Sequence, residues 1–340
     1  MATPVTSCLA LTMGDPTGIG PELSLKAWLA RQAQHVPPFI YLGDADHLRR
    51  VAAQLELPVT VGQVESCDAA LATFDDCLPA LNFDLETPVD RGRPSAHHVN
   101  TIMASLETAI SLATNRSVSA IITNPIHKKT MWQGGFTFPG HTEYLAAKAG
   151  NGKAPAKVCM MLIIPGLRVV PVTIHMPLRD VSAALRVDSI VRAGKLTYES
   201  LARDFGLERP KLGIASLNPH GGEEDGLGSE ERDIIRPAIV ELCTAGIDAT
   251  GPFAADALFS AQSRRRFDAI LCMYHDQALV PLKALDFERG VNVTLGLPFV
   301  RTSPDHGTAH DIAGKGIAKA DSLIMALKTA HEIAQRRVPS

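Results

Sequence analysis

Short apolar segments rich in β-branched residues alternate along the chain with longer segments of helical period. This alternation is typical of an α/β protein with mostly parallel strands. The helical period is clear around Val191 and Leu201, and again around Leu323 and Leu327. The apolar segments predict strands at 9–13, 39–42, 119–123, 157–163, 169–174, 211–215, 269–273 and 291–295.

The length of the chain points to more than one compact unit. It has 340 residues, 46% of them hydrophobic, which is enough for a substantial core and long for a single domain. No internal repeat or long linker divides it. We predict two α/β lobes, the first built from residues 1–130 plus 295–340 and the second from 131–294.

Charge and hydropathy exclude two classes of partner. The 33 basic and 36 acidic residues give a formal net charge of -3, so the protein has no positive electrostatic field that would bind a polyanion such as nucleic acid. The most apolar stretch, 160–174, is interrupted by Pro165, Gly166 and Arg168 and is too short to span a membrane.

The amino terminus does not have the pattern of a signal peptide. Because the six cysteines are scattered, we interpret them as buried thiols of a reducing cytosol and expect a soluble, cytoplasmic protein.

Three predicted strands run out into histidine, in VVPVTIH at His175, LGIASLNPH at His220 and AILCMYH at His275. Ligands of parallel sheets bind beyond the carboxyl ends of the strands, so these imidazoles are expected to converge. A set of histidines without cysteine suits zinc, cobalt or a similar divalent ion and leaves positions open for a substrate. A single histidine at a strand end is usually an ordinary polar residue, but three in equivalent positions favour a metal site.

Two aspartates accompany these histidines. Asp276 directly follows His275, and Asp256 lies in the segment GPFAAD ahead of the same strand. Either carboxylate is suited to orienting a ligand imidazole or binding the metal, and either is equally suited to capping a helix.

Several polar residues are placed to bind an anion. The segment GDPTGIGPE follows the first strand and begins a helix, although it matches neither the dinucleotide fingerprint nor the phosphate loop. Lys128, His141 and Thr142 follow the strand that ends near residue 123, and Lys283, Asn292 and Arg301 surround the strand VNVTLGL. Arg301 stands in an otherwise apolar stretch, which favours a phosphate or carboxylate clamp over a solvated charge. The residues alone therefore predict a metal-dependent enzyme acting on a small anion, without indicating a nicotinamide cofactor.

The long string MYHDQALVPLKALDFERGVNVTLGLPFVRTSPDHGTAHDIAGKG closely resembles the 4-hydroxythreonine-4-phosphate dehydrogenase family of vitamin B6 biosynthesis. GDPTGIGPE, FPGHTEY and LNPHGGEE resemble the same family, so the similarity spans nearly the whole chain. The resemblance implies two α/β/α lobes like those of isopropylmalate and isocitrate dehydrogenases, with the active site in the cleft between lobes. HGTAHDIAGKG resembles their adenosine-binding loop, which implies NAD or NADP bound by His306, Gly307, Thr308, Ala309, Asp311, Ile312 and Gly314.

The resemblance also implies roles for the residues found above. The ligands of a Zn, Co or Mg ion would be His175, His220 and His275. The substrate would be bound by His141, Thr142, Lys283, Asn292 and Arg301. Lys128, Asp256 and Asp276 are the candidates for proton transfer, beside a metal-bound hydroxide. Family members are homodimers with a shared active site, so one metal histidine, most plausibly His275, is expected to come from the other subunit. His310 departs from the family pattern, which more often has an apolar or aromatic residue there.

The implied reaction oxidises 4-phosphohydroxy-L-threonine and decarboxylates the resulting β-keto acid to 3-amino-2-oxopropyl phosphate. The metal would lower the pKa of the substrate hydroxyl and then stabilise the charge that develops as carbon dioxide leaves. A paralogous dehydrogenase acting on D-threonate or D-erythronate 4-phosphate, or on a dihydrodiol carboxylate, is the alternative within the family. A cofactor-free metal hydrolase or aldolase, and a sugar-phosphate binding protein, are more distant alternatives because both leave residues 306–316 unexplained.

Overall fold

The computed structural model describes residues 8–150 and 154–337. Its strands are β1 Leu9–Thr12, β2 Phe39–Leu42, β3 Val61–Gln63, β4 Leu78–Leu81, β5 Ala120–Thr123, β6 Cys159–Ile164, β7 Leu167–Pro171, β8 Lys211–Ala215, β9 Asp248–Phe253, β10 Ala269–Cys272, β11 Val291–Leu295 and β12 Val300–Pro304. Its helices are α1 Gly20–Leu29, α2 Ala45–Gln54, α3 Cys67–Thr73, α4 Val99–Thr114, α5 Lys128–Gln133, α6 His141–Ala149, α7 Val181–Ala184, α8 Val187–Phe205, α9 Arg236–Thr244, α10 Ala255–Leu258, α11 Ala261–Arg264, α12 His275–Leu285 and α13 Asp321–Arg336. Short 3-10 turns occur at Ala96–His98, Leu178–Asp180 and Pro219–Gly222, and a π-helical turn at Glu231–Ile235.

The described residues divide into two compact units. Unit 1 consists of residues 1–156 and 297–340 as far as they are described, and unit 2 of residues 157–296. The segment 131–156, which the sequence prediction placed in the second lobe, therefore groups by its contacts with the first.

Unit 1 is built on a parallel sheet in the order β3-β4-β2-β1-β5-β12. The four residues of β1, LALT, and of β2, FIYL, are all buried, as expected for apolar strands covered on both faces. Helix α4 packs on β1 and β5, and α13 packs on β12 and β5. The predicted apolar face of α13 is confirmed, since Leu323 and Leu327 are fully buried.

Unit 2 has a mixed sheet in the order β11-β6-β7-β10-β8-β9. Strand β6 is antiparallel to both of its neighbours, whereas β7, β10, β8 and β9 are parallel to one another. Its core includes Leu162, Val169 and Ile270 from the strands and Leu282 from α12. Because β7, β10 and β8 are parallel neighbours, their carboxyl ends lie along one edge of this sheet.

The predicted α/β class with mostly parallel strands is confirmed. Strands β2, β8 and β11 have the predicted bounds, whereas β3, β4, β9 and β12 were missed. The missed strands are short or carry proline, glycine or arginine, as in LPAL, DATGPF and VRTSP, so none reads as a β-branched run. In the described part of the chain, no helix has both the length and the apolar character needed to cross a membrane.

Candidate active site

The three histidines lie just beyond the carboxyl ends of β7, β8 and β10, in unit 2. The strands themselves end earlier, at Pro171, Ala215 and Cys272, so each histidine belongs to the segment that follows its strand. The backbone explains the difference. His175 and His220 have positive φ angles of 50° and 52°, which a strand does not allow, and His275 is the first residue of α12. Such angles in non-glycine residues are a form of backbone strain that clusters at functional sites.

His175 and His275 come together. Their ring centroids are 5.8 Å apart. An ion at the usual Zn–N distance lies roughly 3 Å from each ring centre, so the two imidazoles are close enough to bind one ion. Nδ1 of His275 lies 2.7 Å from Oδ1 of Asp276, which directs the Nε2 lone pair away from that carboxylate. The N-cap of α12 is Tyr274, so Asp276 contacts a candidate ligand and is not the helix cap.

His220 lines a cavity of about 560 Å³ together with Asp256, Tyr274 and Gln277. Among the described residues, no group of three or more His, Cys, Asp or Glu side chains is arranged to hold a metal ion. His175 and His275 are therefore in ring contact, and His220 shares its cavity lining with Asp256.

Glu231, which the sequence reasoning missed, fixes the turn that carries His220. Its buried carboxylate accepts hydrogen bonds from the backbone N–H groups of Leu217 and Asn218, both at 2.8 Å, and from Nδ2 of Asn218 at 2.9 Å. Glu231 begins the π-helical turn, a feature often found near functional sites. The acidic stretch GGEEDGLGSEERD gave no signal that singled out this residue.

Two predicted substrate residues, Lys283 and Asn292, belong to unit 2. Lys283 is half-buried on α12, with Nζ 5.5 Å from the centre of the Phe287 ring. Asn292 lies inside β11, and its buried Oδ1 has no hydrogen-bond partner among the described residues. An unsatisfied buried acceptor destabilises a fold unless a ligand satisfies it, so this oxygen suits a donor group on a substrate.

Lys128, His141 and Arg301 form a cationic cluster in unit 1. Arg301 is only 3% exposed on β12, and its Nη2 donates to Oγ1 of Thr123 at 2.6 Å. Burial lowers the pKa of Arg301 to about 10, against the opposing effect of Glu143, so the guanidinium stays charged at neutral pH. Burial, followed by the charges of Arg301 and Lys128, lowers the pKa of His141 to about 3 and keeps its imidazole neutral.

The cluster lies at the start of a helix. His141 and Thr142 are the first residues of α6, and the residue before them is Gly140, which has no side chain to cap the helix. The side chain of Lys128 packs against Gly140. The unpaired N–H groups at the start of α6 lie beside the charged side chains of Lys128 and Arg301. This arrangement favours the binding of a phosphate or carboxylate.

The predicted cofactor segment, His306 to Gly314, follows β12 in unit 1 and packs on the glycine-rich turn after β1. The N–H group of Ile19 donates to the carbonyl of Thr308 at 3.0 Å. A Cβ at Gly18 would lie 2.7 Å from that carbonyl oxygen, so only glycine allows the approach. Around Gly307 the space is open within 4 Å, and Asp311 is exposed, so one side of the segment is accessible to a ligand.

Comparison with known proteins identifies the family of this chain. Residues 34–330 match the family described as pyridoxal phosphate biosynthetic protein PdxA. The chain belongs to the PdxA family. This confirms the resemblance read from the sequence motifs.

The similarity to named relatives in the PdxA family extends over almost the whole chain. The 4-hydroxythreonine-4-phosphate dehydrogenase of Erythrobacter litoralis is 48% identical and covers 97% of both chains. The crystal structure of the enzyme of that name from Klebsiella pneumoniae is 34% identical, covers 97% of this chain and 100% of that one, and has a TM-score of 0.84. A terephthalate 1,2-cis-dihydrodiol dehydrogenase from Burkholderia xenovorans is 26% identical, covers 96% and 98%, and has a TM-score of 0.63.

Proposed function

We propose that this chain is a 4-hydroxythreonine-4-phosphate dehydrogenase of pyridoxal phosphate biosynthesis. It would oxidise 4-phosphohydroxy-L-threonine with NAD or NADP and a divalent metal, and release carbon dioxide to give 3-amino-2-oxopropyl phosphate. The observation that carries the proposal is the 48% identity, over 97% of both chains, to a relative of that name. The cationic cluster of unit 1 and the paired histidines of unit 2 are consistent with such a substrate.

The residues present suit a divalent metal. His175 and His275 are close enough to share an ion, and Asp276 orients one of the two rings. His220 would be the third ligand. A bound Zn, Co or Mg ion would lower the pKa of the substrate hydroxyl and polarise the ketone formed from it. The chain's own part is to hold the imidazoles in place and to keep a carboxylate, Asp256 or Asp276, near the proton that the hydroxyl loses.

The remaining binding roles divide between charged and polar side chains. Arg301, Lys128 and the N–H groups at the start of α6 would hold the phosphate, with neutral His141 and Thr142 donating hydrogen bonds to it. Lys283 and Asn292 would bind the other polar groups of the substrate. Lys128 is the further candidate base. Residues 306–314 would hold the dinucleotide, which would supply the hydride acceptor.

We infer that the enzyme is a cytoplasmic homodimer with a shared active site. His175 and His275 lie together, and a ligand from the partner would complete the set. Each of the six cysteines lies in the described part of the chain and is a free thiol, as is usual in a reducing compartment.

A substrate comparison tests the proposal. Purified enzyme is incubated with dinucleotide and metal, and reduced cofactor and carbon dioxide are followed with 4-phosphohydroxy-L-threonine, D-threonate 4-phosphate or a dihydrodiol carboxylate. We expect metal-dependent turnover of the amino acid, abolished in a chelator-stripped control. Turnover of the threonate or dihydrodiol alone would assign the chain to a paralogous dehydrogenase, and hydrolysis or aldol cleavage without dinucleotide would contradict the proposal.

A further inference from the structure

Polar residues follow three neighbouring strands of unit 1, and the proposed metal and phosphate sites do not use them. Strand β5 lies between β1 and β12, parallel to both. Asp15 follows β1, His127 follows β5, and His310 follows β12. The carboxyl ends of parallel neighbours meet at one edge of the sheet, so these side chains are brought together there.

His310 and Asp15 are linked directly. Nε2 of His310 lies 3.3 Å from Oδ2 of Asp15 and 3.2 Å from Oγ1 of Thr17. Nδ1 of the same ring lies 3.2 Å from Oγ1 of Thr308. A proton on Nε2 satisfies all of these contacts, because Nε2–H donates to Asp15 and Thr17 while Nδ1 accepts from Thr308. The side chains are little exposed, at 16% for His310 and 4% for Asp15.

Asp15 is itself held by the glycine-rich turn. Its Oδ1 accepts from the backbone N–H of Thr17 at 2.9 Å and from Oγ1 of Thr17 at 2.6 Å. The backbone N–H of Asp15 donates to the carbonyl of Pro125 at 2.8 Å, which ties the turn to the segment after β5. The turn therefore holds the Asp15 carboxylate, which accepts the hydrogen bond from His310, in a fixed orientation.

The contacts of His310 connect the turn at 14–20 to the segment at 306–316. A hydrogen bond from the backbone N–H of Ile19 to the carbonyl oxygen of Thr308, at 3.0 Å, joins the same two segments. The ring of His127 packs edge-on against His310, with centroids 5.2 Å apart. An apolar side chain at 310 could fill this space but could not donate to the buried carboxylate of Asp15.

We propose that His310 is a positioning residue that, through Asp15, holds residues 306–316 in the conformation that binds the dinucleotide. This rests on the proposed function of that segment. For a ligand that binds only one conformation of a loop, the apparent Kd is the intrinsic Kd divided by the fraction of time that the loop spends in that conformation. Loss of the His310–Asp15 contact should therefore weaken dinucleotide binding more than substrate binding or the chemical step.

The test compares His310→Ala with His310→Gln, whose side-chain amide can still donate to Asp15, and with His331→Ala on α13 as a matched control. Hydrogen exchange of residues 306–316, the thermal midpoint, the Kd for NAD and NADP, and the KM for the phosphorylated substrate are measured for each. For His310→Ala we expect exchange in the segment to rise and the Kd for the dinucleotide to rise about tenfold. We expect the substrate KM to stay within about twofold, His310→Gln to recover most of the affinity, and His331→Ala to match the parent.

A lower thermal midpoint with unchanged dinucleotide affinity would show a purely structural role and overturn the proposal. Equal impairment of His310→Gln and His310→Ala would overturn it as well. If the parent enzyme binds neither NAD nor NADP, the proposed function fails instead. Hydrogen exchange then still decides whether His310 holds the segment, since unchanged exchange in His310→Ala would contradict that contact.

Discussion

The imidazoles of His175 and His275 lie 5.8 Å apart although they follow different strands of unit 2. The parallel arrangement of β7 and β10 explains this, because the connections after both strands begin at the same edge of the sheet. Asp276 adds a carboxylate that fixes one ring. The pair therefore suits the proposed metal site, in which Asp276 would orient one ring.

Asp276→Asn should weaken metal binding while leaving the fold intact. The carboxylate orients His275, and loss of such a partner costs about 10- to 100-fold in metal affinity. The measurement is a competition titration of zinc or cobalt against a chromophoric chelator. Asp248→Asn, an exposed position on β9, is the matched control. Equal affinity of the two variants would show that Asp276 has no part in the site.

Arg301→Lys should impair binding of the phosphorylated substrate although the charge is retained. The buried guanidinium presents a planar fork, which suits an anion in two-point contact, whereas lysine offers a point charge. Hydrogen bonds to charged groups are worth about 1.5–3 kcal/mol, so the KM should rise at least about tenfold. Arg265→Lys, exposed in unit 2, serves as the control. A normal KM for Arg301→Lys would show that this side chain does not bind the substrate.

The sequence indicated individual residues of the candidate site but not the contacts that these residues make. The apolar neighbours of Arg301 indicated an anion clamp and not a solvated charge, and the structure places this arginine inside strand β12, where it is 3% exposed. Asp15 and Glu231 were missed because an acidic residue in a glycine-rich or acidic segment looks like a solvated turn. Their partners, His310 and the Asn218 turn, are brought to them only by the fold. Likewise, equal placement after three strands suggested that three histidines converge, but it could not show that His175 and His275 are the two in ring contact.

His141 should remain neutral through the physiological range. Burial, and then the nearby charges of Arg301 and Lys128, lower the pKa of its imidazole to about 3. The histidine resonances of His141, assigned by comparison with a His141→Gln variant, should therefore show no titration between about pH 5 and 8, whereas an unperturbed histidine titrates near 6.5. A midpoint near 6.5 would mean that His141 is solvated and does not belong to a buried anion site.

His47 should make the stability of the fold fall on acidification. This side chain is 3% exposed on α2, Nε2 lies 3.2 Å from the carbonyl oxygen of Pro16, and burial lowers its pKa to about 4, with Asp44 opposing. The unfolded chain binds a proton near pH 6.5 and the folded chain does not, so the contribution is fully present above pH 6.5 and is lost as the pH falls toward 4. The slope from one such group approaches about 1.4 kcal/mol per pH unit.

Urea unfolding at pH 7.5 and pH 5.5 measures this effect. We expect the parent to lose more unfolding free energy between these conditions than His47→Gln, which cannot take up the proton in either state. The neutral amide of glutamine can still donate to the carbonyl of Pro16, so the variant removes the titration with less change in packing. His97→Gln provides a background, since that histidine is exposed. An identical pH dependence of the parent and His47→Gln would show that His47 is not the buried neutral group that couples folding to pH.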